Sequence, residues 1–175
     1  RRSNRRKVTS RPTRRQATLF LRGRRLIEDV RARFNPEQSR LIDAHVTLCR
    51  EDEVDDWPRL AARLRGRPPG GVTLEFGEPV RQGEMLFLPC SGSTSAFDEV
   101  RANLLGHRVR KHEPHITLIH PRNGKCTDEI FEMARSLIKP FSHTFDEVSL
   151  IEQTAGGIWR SFERCSLSDE KEYRD

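Results

Sequence analysis

The sequence lacks the features of membrane and secreted proteins. It has no apolar run approaching roughly twenty residues and no hydrophobic segment typical of a signal peptide, so we expect a cytoplasmic chain without membrane contact. Cysteine is scarce: Cys49, Cys90, Cys126 and Cys165 lie 41, 36 and 39 positions apart. No CxxC or CxH spacing occurs, so neither a zinc site nor a redox motif is predicted, and we expect reduced thiols.

Positive charge is concentrated at the N-terminus. The sequence has 32 Lys and Arg against 26 Asp and Glu, a formal net charge of +6. Eight basic residues and no acidic residue fall within residues 1–16, so the remainder has 24 basic against 26 acidic side chains. We expect this Arg-rich segment, which has no apolar periodicity, to be a disordered tail. It either binds polyanions weakly and in a salt-dependent manner or is a solvated tail without a function of its own.

One tetrapeptide pattern, His-apolar-Thr-Leu, occurs twice, seventy residues apart. The copies are residues 45–48 (HVTL) and residues 115–118 (HITL). In an extended strand alternate side chains share a face, so the His and Thr of each copy point the same way. Two such strands, one from each half of the chain, could place two imidazoles and two hydroxyls in one groove.

The spacing of apolar and turn residues predicts one α+β domain over residues 17–168, with a charged tail at 169–175. Each half has a helix, a loop, a motif strand, another helix and a strand pair, which predicts a bilobal, pseudo-symmetric fold. We expect antiparallel sheets around a central groove with helices outside. The predicted strands are 17–22, 42–49, 72–80, 84–90, 115–120, 143–151 and 157–167, and the predicted helices end at Asn35, at 65, at 105 and before Pro140.

Two imidazoles and two hydroxyls suit the hydrolysis of a phosphodiester. Unperturbed His titrates near pH 6.5, so one imidazole can activate water as a base while the other protonates the departing oxygen. The hydroxyls of Thr47 and Thr117 and a protonated His can hydrogen-bond the anionic phosphoryl oxygens. This pair of imidazoles supplies the acid and the base without a metal ion.

The paired motifs resemble those of the two-histidine phosphoesterase superfamily, which includes bacterial RNA 2',3'-cyclic phosphodiesterases, also called 2'-5' RNA ligases. The resemblance rests on residues 43–48 (DAHVTL) and 113–118 (EPHITL), and residues 145–150 (FDEVSL) are similar to the family's closing strands. It covers roughly residues 17–168. It implies a bilobal α+β fold in which the two motifs face each other across a groove on central strands.

The resemblance also implies roles for the motif residues. His115 would activate water, His45 would protonate the leaving ribose oxygen, and Thr47 and Thr117 would hold the phosphoryl oxygens. His120 stands where related phosphodiesterases often carry Arg, and it, or the arginine two residues further on, would substitute in binding phosphate. The implied substrate is a 2',3'-cyclic phosphate on an RNA end or a nucleotide. No metal or organic cofactor is implied, and we expect a monomer.

Other interpretations stay open from the sequence. Within the same superfamily, the chain could cleave or join 2'-5' linkages or open an ADP-ribose cyclic phosphate. In a different class, it could be a nucleotide- or RNA-binding module without turnover. The close spacing of His112, His115 and His120 suggests a metal cluster, but offsets of three and five place strand side chains on opposite faces, so no metal site is predicted.

Aromatic residues and one glycine-rich loop are further candidates for nucleotide contacts. Trp159, Phe162 and Phe20 could stack a nucleobase, although aromatic side chains more often pack in the core. The loop at residues 66–71 contains Gly and Pro but no GxxxxGK pattern. A phosphate-binding loop of the P-loop type is therefore not predicted.

Overall fold

In the computed structural model, which describes residues 12–106 and 109–168, three antiparallel sheets of four, two and three strands form the two halves of the molecule, with helices outside them. None of the described helices is long and apolar enough to cross a membrane. The strands are β1 (Thr13–Phe20), β2 (His45–Cys49), β3 (Val72–Phe76), β4 (Val80–Gln82), β5 (Met85–Pro89), β6 (His115–Ile119), β7 (Phe141–Phe145), β8 (Glu147–Thr154) and β9 (Arg160–Ser166). The helices are α1 (Arg25–Phe34), α2 (Pro36–Leu41), α3 (Trp57–Gly66), α4 (Ser95–Leu105) and α5 (Asp128–Leu137), with a 3₁₀ turn at Glu51–Glu53.

The first motif lies on an edge strand. β2 pairs only with β1 in a four-stranded antiparallel sheet of order β2-β1-β8-β9. Val46 and Leu48 are fully buried, whereas His45 and Thr47 on the opposite face are half-buried. The strand alternation predicted from the sequence is therefore present.

The second motif lies on the equivalent edge of the other half. β6 pairs with β5 in the order β4-β5-β6, and β3 pairs with β7. A bridge between Phe76 and Cys90 places the end of β3 beside β5, so β3 and β4 together flank the side of β5 opposite β6. The second half thus repeats the strand order of the first. From the motif edge to the far edge, the strands are β2, β1, β8 and β9 in the first half, and β6, β5, β3 with β4, and β7 in the second. The predicted bilobal, pseudo-symmetric α+β fold is confirmed.

The first strand begins earlier than the sequence predicts. Thr13 pairs with Thr154 and Gln16 pairs with Ile151 in the register between β1 and β8, so the predicted tail boundary at residue 16 is wrong by four residues. Residues 13–16 pair with β8 alone, but this pairing gives them backbone hydrogen bonds whatever their side chains, and long Arg side chains can extend from the strand to the surface. The predicted disorder of residues 1–11 and the charged tail at 169–175 lie outside the described residues.

Other differences between the predicted and the observed elements arise where a helix or strand is interrupted. The predicted helix ends at Phe34, but a second helix restarts at Pro36, where proline is tolerated in the first turn. The predicted strand 72–80 stops at Phe76 and resumes at Val80. The predicted strand 143–151 is two strands, because β7 joins β3 and β8 joins β1 in the other sheet. Sequence periodicity does not show such a change of sheet.

Deleting residues 1–16 is expected to destabilise the protein relative to deleting residues 1–11. The longer deletion removes Thr13–Gln16 from β1 and leaves their backbone partners on β8 unpaired. At about 0.5–1.5 kcal/mol for each net hydrogen bond, the loss in the free energy of unfolding is about 2 kcal/mol or more. Urea denaturation of the two variants measures it. Equal stability would show that residues 13–16 contribute nothing to the fold.

Candidate active site

The two motif strands open onto one groove of about 1220 Å³ between the halves of the molecule. All five predicted site residues line it: His45, Thr47, His115, Thr117 and His120. The tertiary structure therefore brings together side chains that are up to 75 positions apart in the chain.

The two motif imidazoles are held in the same way. Nδ1 of His45 lies 2.8 Å from the carbonyl oxygen of Asp43, and Nδ1 of His115 lies 3.0 Å from that of Glu113. A carbonyl only accepts, so each Nδ1 carries the hydrogen and each Nε2 is left to take or give a proton. An aromatic ring also meets each imidazole edge-on, with centroids 6.2 Å apart for Phe20 and His45.

The pKa of His45 is lowered to about 4. Burial is the main cause; the hydrogen bond to the Asp43 carbonyl opposes it, and the positive charges of Arg31 and His115 lower the pKa further. His45 is neutral at pH 7 in the free protein.

His120 is set up as a neutral hydrogen-bond donor. Its Nδ1 accepts a hydrogen bond of 3.1 Å from the backbone N–H of Arg122, so a neutral ring carries its hydrogen on Nε2. Burial, Arg122 and Arg14 all lower the pKa of His120. Positive charge at this end of the groove therefore comes from the two arginines.

A buried arginine on α1, which the sequence analysis missed, ties the second motif strand to the first half. Arg31 is 2% exposed. Its Nε donates to the carbonyl of Thr117 at 3.2 Å, its Nη2 donates to the carbonyl of Ile42 at 2.8 Å, and its Nη1 pairs with Glu28 at 3.0 Å. Glu28 in turn accepts from the backbone N–H of Ala44. The backbone carbonyl of Thr117, on the edge of β6, thus accepts a hydrogen bond from a side chain of the other half.

Arg101 on α4 makes the reciprocal connection. It is 1% exposed, and its guanidinium donates to the carbonyls of Leu48 on β2 at 2.5 Å and of Arg110 at 2.8 Å. It also pairs with both oxygens of Glu53. Burial alone would raise the pKa of Glu53, but hydrogen bonds from Arg101 and the Arg50 N–H hold it at about 2.

The two arginines occupy equivalent positions in the repeat. Arg31 lies 14 residues before His45, and Arg101 lies 14 residues before His115. Each joins the segment before its own motif to the motif strand of the other half. The equal offset from the motif is one sequence signal that could have identified the two arginines. A second signal is their position on the apolar face of a helix, where an arginine is rare unless it is paired.

His112 completes the support of β2. Its Nε2 lies 3.1 Å from the carbonyl of Thr47 and donates to it, and its ring centroid is 6.1 Å from that of His115. Burial, with Arg101 and Arg50, lowers the pKa of His112 to about 4. Within residues 12–106 and 109–168, no group of three or more His, Cys, Asp or Glu side chains is arranged to hold a metal ion.

Two His-x-Thr strands that face one groove in a bilobal α+β fold define the class of two-histidine phosphoesterases. The sequence matches the 2'-5' RNA ligase superfamily over residues 21–157, and the chain belongs to that family. A search of curated proteins by sequence gave no match.

Solved structures share the fold at low sequence identity. Escherichia coli LigT complexed with 3'-AMP matches with a TM-score of 0.63 and 19% identity over 90% of this chain and 99% of LigT. LigT complexed with phosphate matches with a TM-score of 0.60 and 19% identity over 91% of this chain and 100% of LigT. A Thermus thermophilus protein matches with a TM-score of 0.53 and 17% identity over 90% and 99% of the two chains. These likenesses show that almost the whole chain shares the fold of these structures.

Replacing Arg31 or Arg101 by Met is expected to lower the free energy of unfolding by about 3–5 kcal/mol each, because buried carbonyls and a carboxylate lose their partner. Arg63→Met is the matched control, because Arg63 is a half-buried arginine with one hydrogen bond to the Leu104 carbonyl. This substitution should lower the free energy of unfolding by about 1 kcal/mol. Urea denaturation measures all three. Equal losses of unfolding free energy in all three variants would contradict a special role for Arg31 and Arg101.

Proposed function

We propose that this protein is a metal-independent phosphodiesterase that opens 2',3'-cyclic phosphates on RNA ends or nucleotides. The observation that carries the proposal is the pair of motif imidazoles in one groove, each with Nδ1–H bonded to a carbonyl and Nε2 left for proton transfer. Membership of the 2'-5' RNA ligase superfamily supports an enzyme that acts on phosphoesters.

The proposed reaction uses one imidazole on each side of the phosphorus. His115 takes a proton from water as the water oxygen attacks phosphorus. The bond from phosphorus to one ribose oxygen breaks, and His45 gives that oxygen its proton. The product is a phosphomonoester, and solvent restores both imidazoles by exchange of one proton each. The hydroxyls of Thr47 and Thr117 and the Nε2–H of His120 hold the phosphoryl oxygens.

The acid role requires a protonated His45, although its pKa in the free protein is about 4. A bound phosphodiester places negative charge beside the imidazole, which favours the charged form and raises the pKa. The groove is suited to such an anion, since Arg31 and Arg50 line it. A protein of the same fold binds related anions, since LigT has been crystallised with phosphate and with the phosphomonoester 3'-AMP.

A second candidate function is cleavage or joining of 2'-5' linkages, which the name of the matched superfamily favours. The same two imidazoles serve either direction, because the base of one direction is the acid of the reverse. Opening of an ADP-ribose cyclic phosphate is a third candidate with the same chemistry. Defined 2',3'-cyclic, 2'-5'-linked and ADP-ribose substrates, compared by their products, separate the three.

His45→Ala and His115→Ala are each expected to lower kcat for 2',3'-cyclic nucleotides by about 10²–10⁴-fold, because each removes one proton-transfer group. The wild-type protein should show a bell-shaped pH–rate profile and full activity in EDTA. His143→Ala, outside the groove, is the control and should leave turnover unchanged. Full activity in either motif variant would refute the mechanism. Nucleotide binding without turnover in the wild-type protein would instead indicate a binding module.

The pKa of His45 is expected to rise from about 4 when 3'-AMP or phosphate binds. Binding therefore takes up a proton, and affinity should increase as the pH falls from 6.5 towards 4. NMR titration of the His45 ring with and without ligand measures the shift. His143 gives an internal control in the same spectra. A His45 pKa that stays near 4 in the complex would contradict the acid role.

A further inference from the structure

One end of the groove carries cationic and aromatic side chains that the proposed reaction does not use. These side chains belong to Arg14 on β1, Gln38 on α2, Arg122 after β6 and Trp159 before β9, and all four line the groove beside His120. They come from four separate segments of the chain. The sequence analysis placed one of them, Arg14, in a tail outside the fold.

Backbone and side-chain contacts hold these segments together. The backbone N–H of Trp159 donates to the carbonyl of Leu41 at the end of α2, at 3.0 Å. Gln38 on the same helix accepts from the side chain of Asn123 at 2.8 Å, next to Arg122. The guanidinium carbon of Arg14 lies 5.5 Å from the centre of the Trp159 ring. These contacts hold the turn that carries Arg122 and the segment that carries Trp159 against α2.

The charges of this cluster are available to a ligand. The only acidic partner recorded for Arg14 among the described residues is Glu51, at 3.9 Å, with both side chains 47% exposed. Such an exposed pair contributes little. Arg122 is exposed, and Trp159 is half-buried. The backbone N–H of Arg122 donates to Nδ1 of His120 at 3.1 Å, which places Arg122 near the end of the second motif strand, and the charges of Arg122 and Arg14 both lower the pKa of His120.

We propose that Arg14, Gln38, Arg122 and Trp159 form a flanking subsite for the nucleotide that precedes the cyclic phosphate in a single RNA strand. A 2',3'-cyclic phosphate ends its strand, so the chain can continue only towards the 5' side, and the next step adds one anionic phosphate and one base. The arginines pair with that phosphate, and the base stacks on Trp159. The preferred substrate is then an oligonucleotide, not a mononucleotide. This inference rests on the proposed function for the position of the reacting phosphate.

The test compares adenosine 2',3'-cyclic phosphate with a four-nucleotide RNA that ends in the same group. Trp159→Leu and Arg14→Gln are expected to lower kcat/KM for the oligonucleotide by roughly 5- to 150-fold, the range that one base stack is worth. The mononucleotide should change by less than about twofold, because it does not reach the subsite.

Two matched variants serve as controls. Phe162→Leu removes an exposed aromatic ring of the same hairpin that does not line the groove, and Arg135→Gln removes a surface arginine on α5. Neither should change the preference between the two substrates. An equal loss on both substrates in Trp159→Leu, no loss on either, or the same loss in Phe162→Leu would overturn the subsite.

Binding separates this inference from the proposed function. Fluorescence anisotropy of the labelled four-nucleotide RNA is measured in a His45→Ala background, where turnover is expected to be about 10²–10⁴-fold slower. Each of Arg14→Gln and Arg122→Gln should weaken binding and reduce the salt slope by about 0.7, the value for one single-strand phosphate contact. If the wild-type protein opens no cyclic phosphate but these variants still weaken binding, the proposed function fails and the subsite stands. Unchanged affinity and salt slope would overturn the subsite.

Discussion

The active groove depends on how two sheet edges that do not pair with each other are kept side by side. Edge strands leave backbone carbonyls and amides unpaired, and in this protein the motif strands β2 and β6 are both edges. Arg31 and Arg101 each donate a hydrogen bond from one half of the molecule to a backbone carbonyl on the motif strand of the other half. The accepting carbonyls are those of Thr117 and Leu48. Charged side chains with less than 3% exposure are costly unless every donor is used. Here hydrogen bonds to backbone carbonyls and ion pairs with carboxylates offset that cost. The same contacts hold the two halves at a fixed separation.

The same arrangement places positive charge behind histidines that line the groove. Arg31 lowers the pKa of His45, and Arg101 lowers that of His112. The motif histidines are each bonded at Nδ1 to a carbonyl two residues earlier, so one tautomer is selected on both sides. The groove is therefore electrostatically suited to an anion, because negative charge beside His45 favours the protonated form of its imidazole. Burial, backbone hydrogen bonding and the buried arginines act together on the proposed chemistry.

The pseudo-symmetry connects fold and site. Each half contributes one helix with a buried arginine, one short segment before the motif and one His-x-Thr strand. The halves differ at the groove ends, where β1 extends by Thr13–Gln16 and the β8–β9 hairpin carries Trp159. The shared elements hold the two motif histidines, and the unshared elements carry Arg14 and Trp159 of the proposed flanking subsite. Substrate preference can thus change without disturbing the proton-transfer pair.

The sequence by itself determined the alternation of His and Thr on each motif strand, the repeated order of elements and the family, because these depend on local spacing and on short patterns. Only the tertiary structure decided that Arg31 and Arg101 cross between the halves, that residues 141–154 form two strands in different sheets, and that Arg14 lies in the groove. Those features depend on contacts between residues distant in the chain, and neither periodicity nor charge composition encodes them. Arg14 belongs to a run of basic residues that looks like a solvated tail until β8 pairs with it.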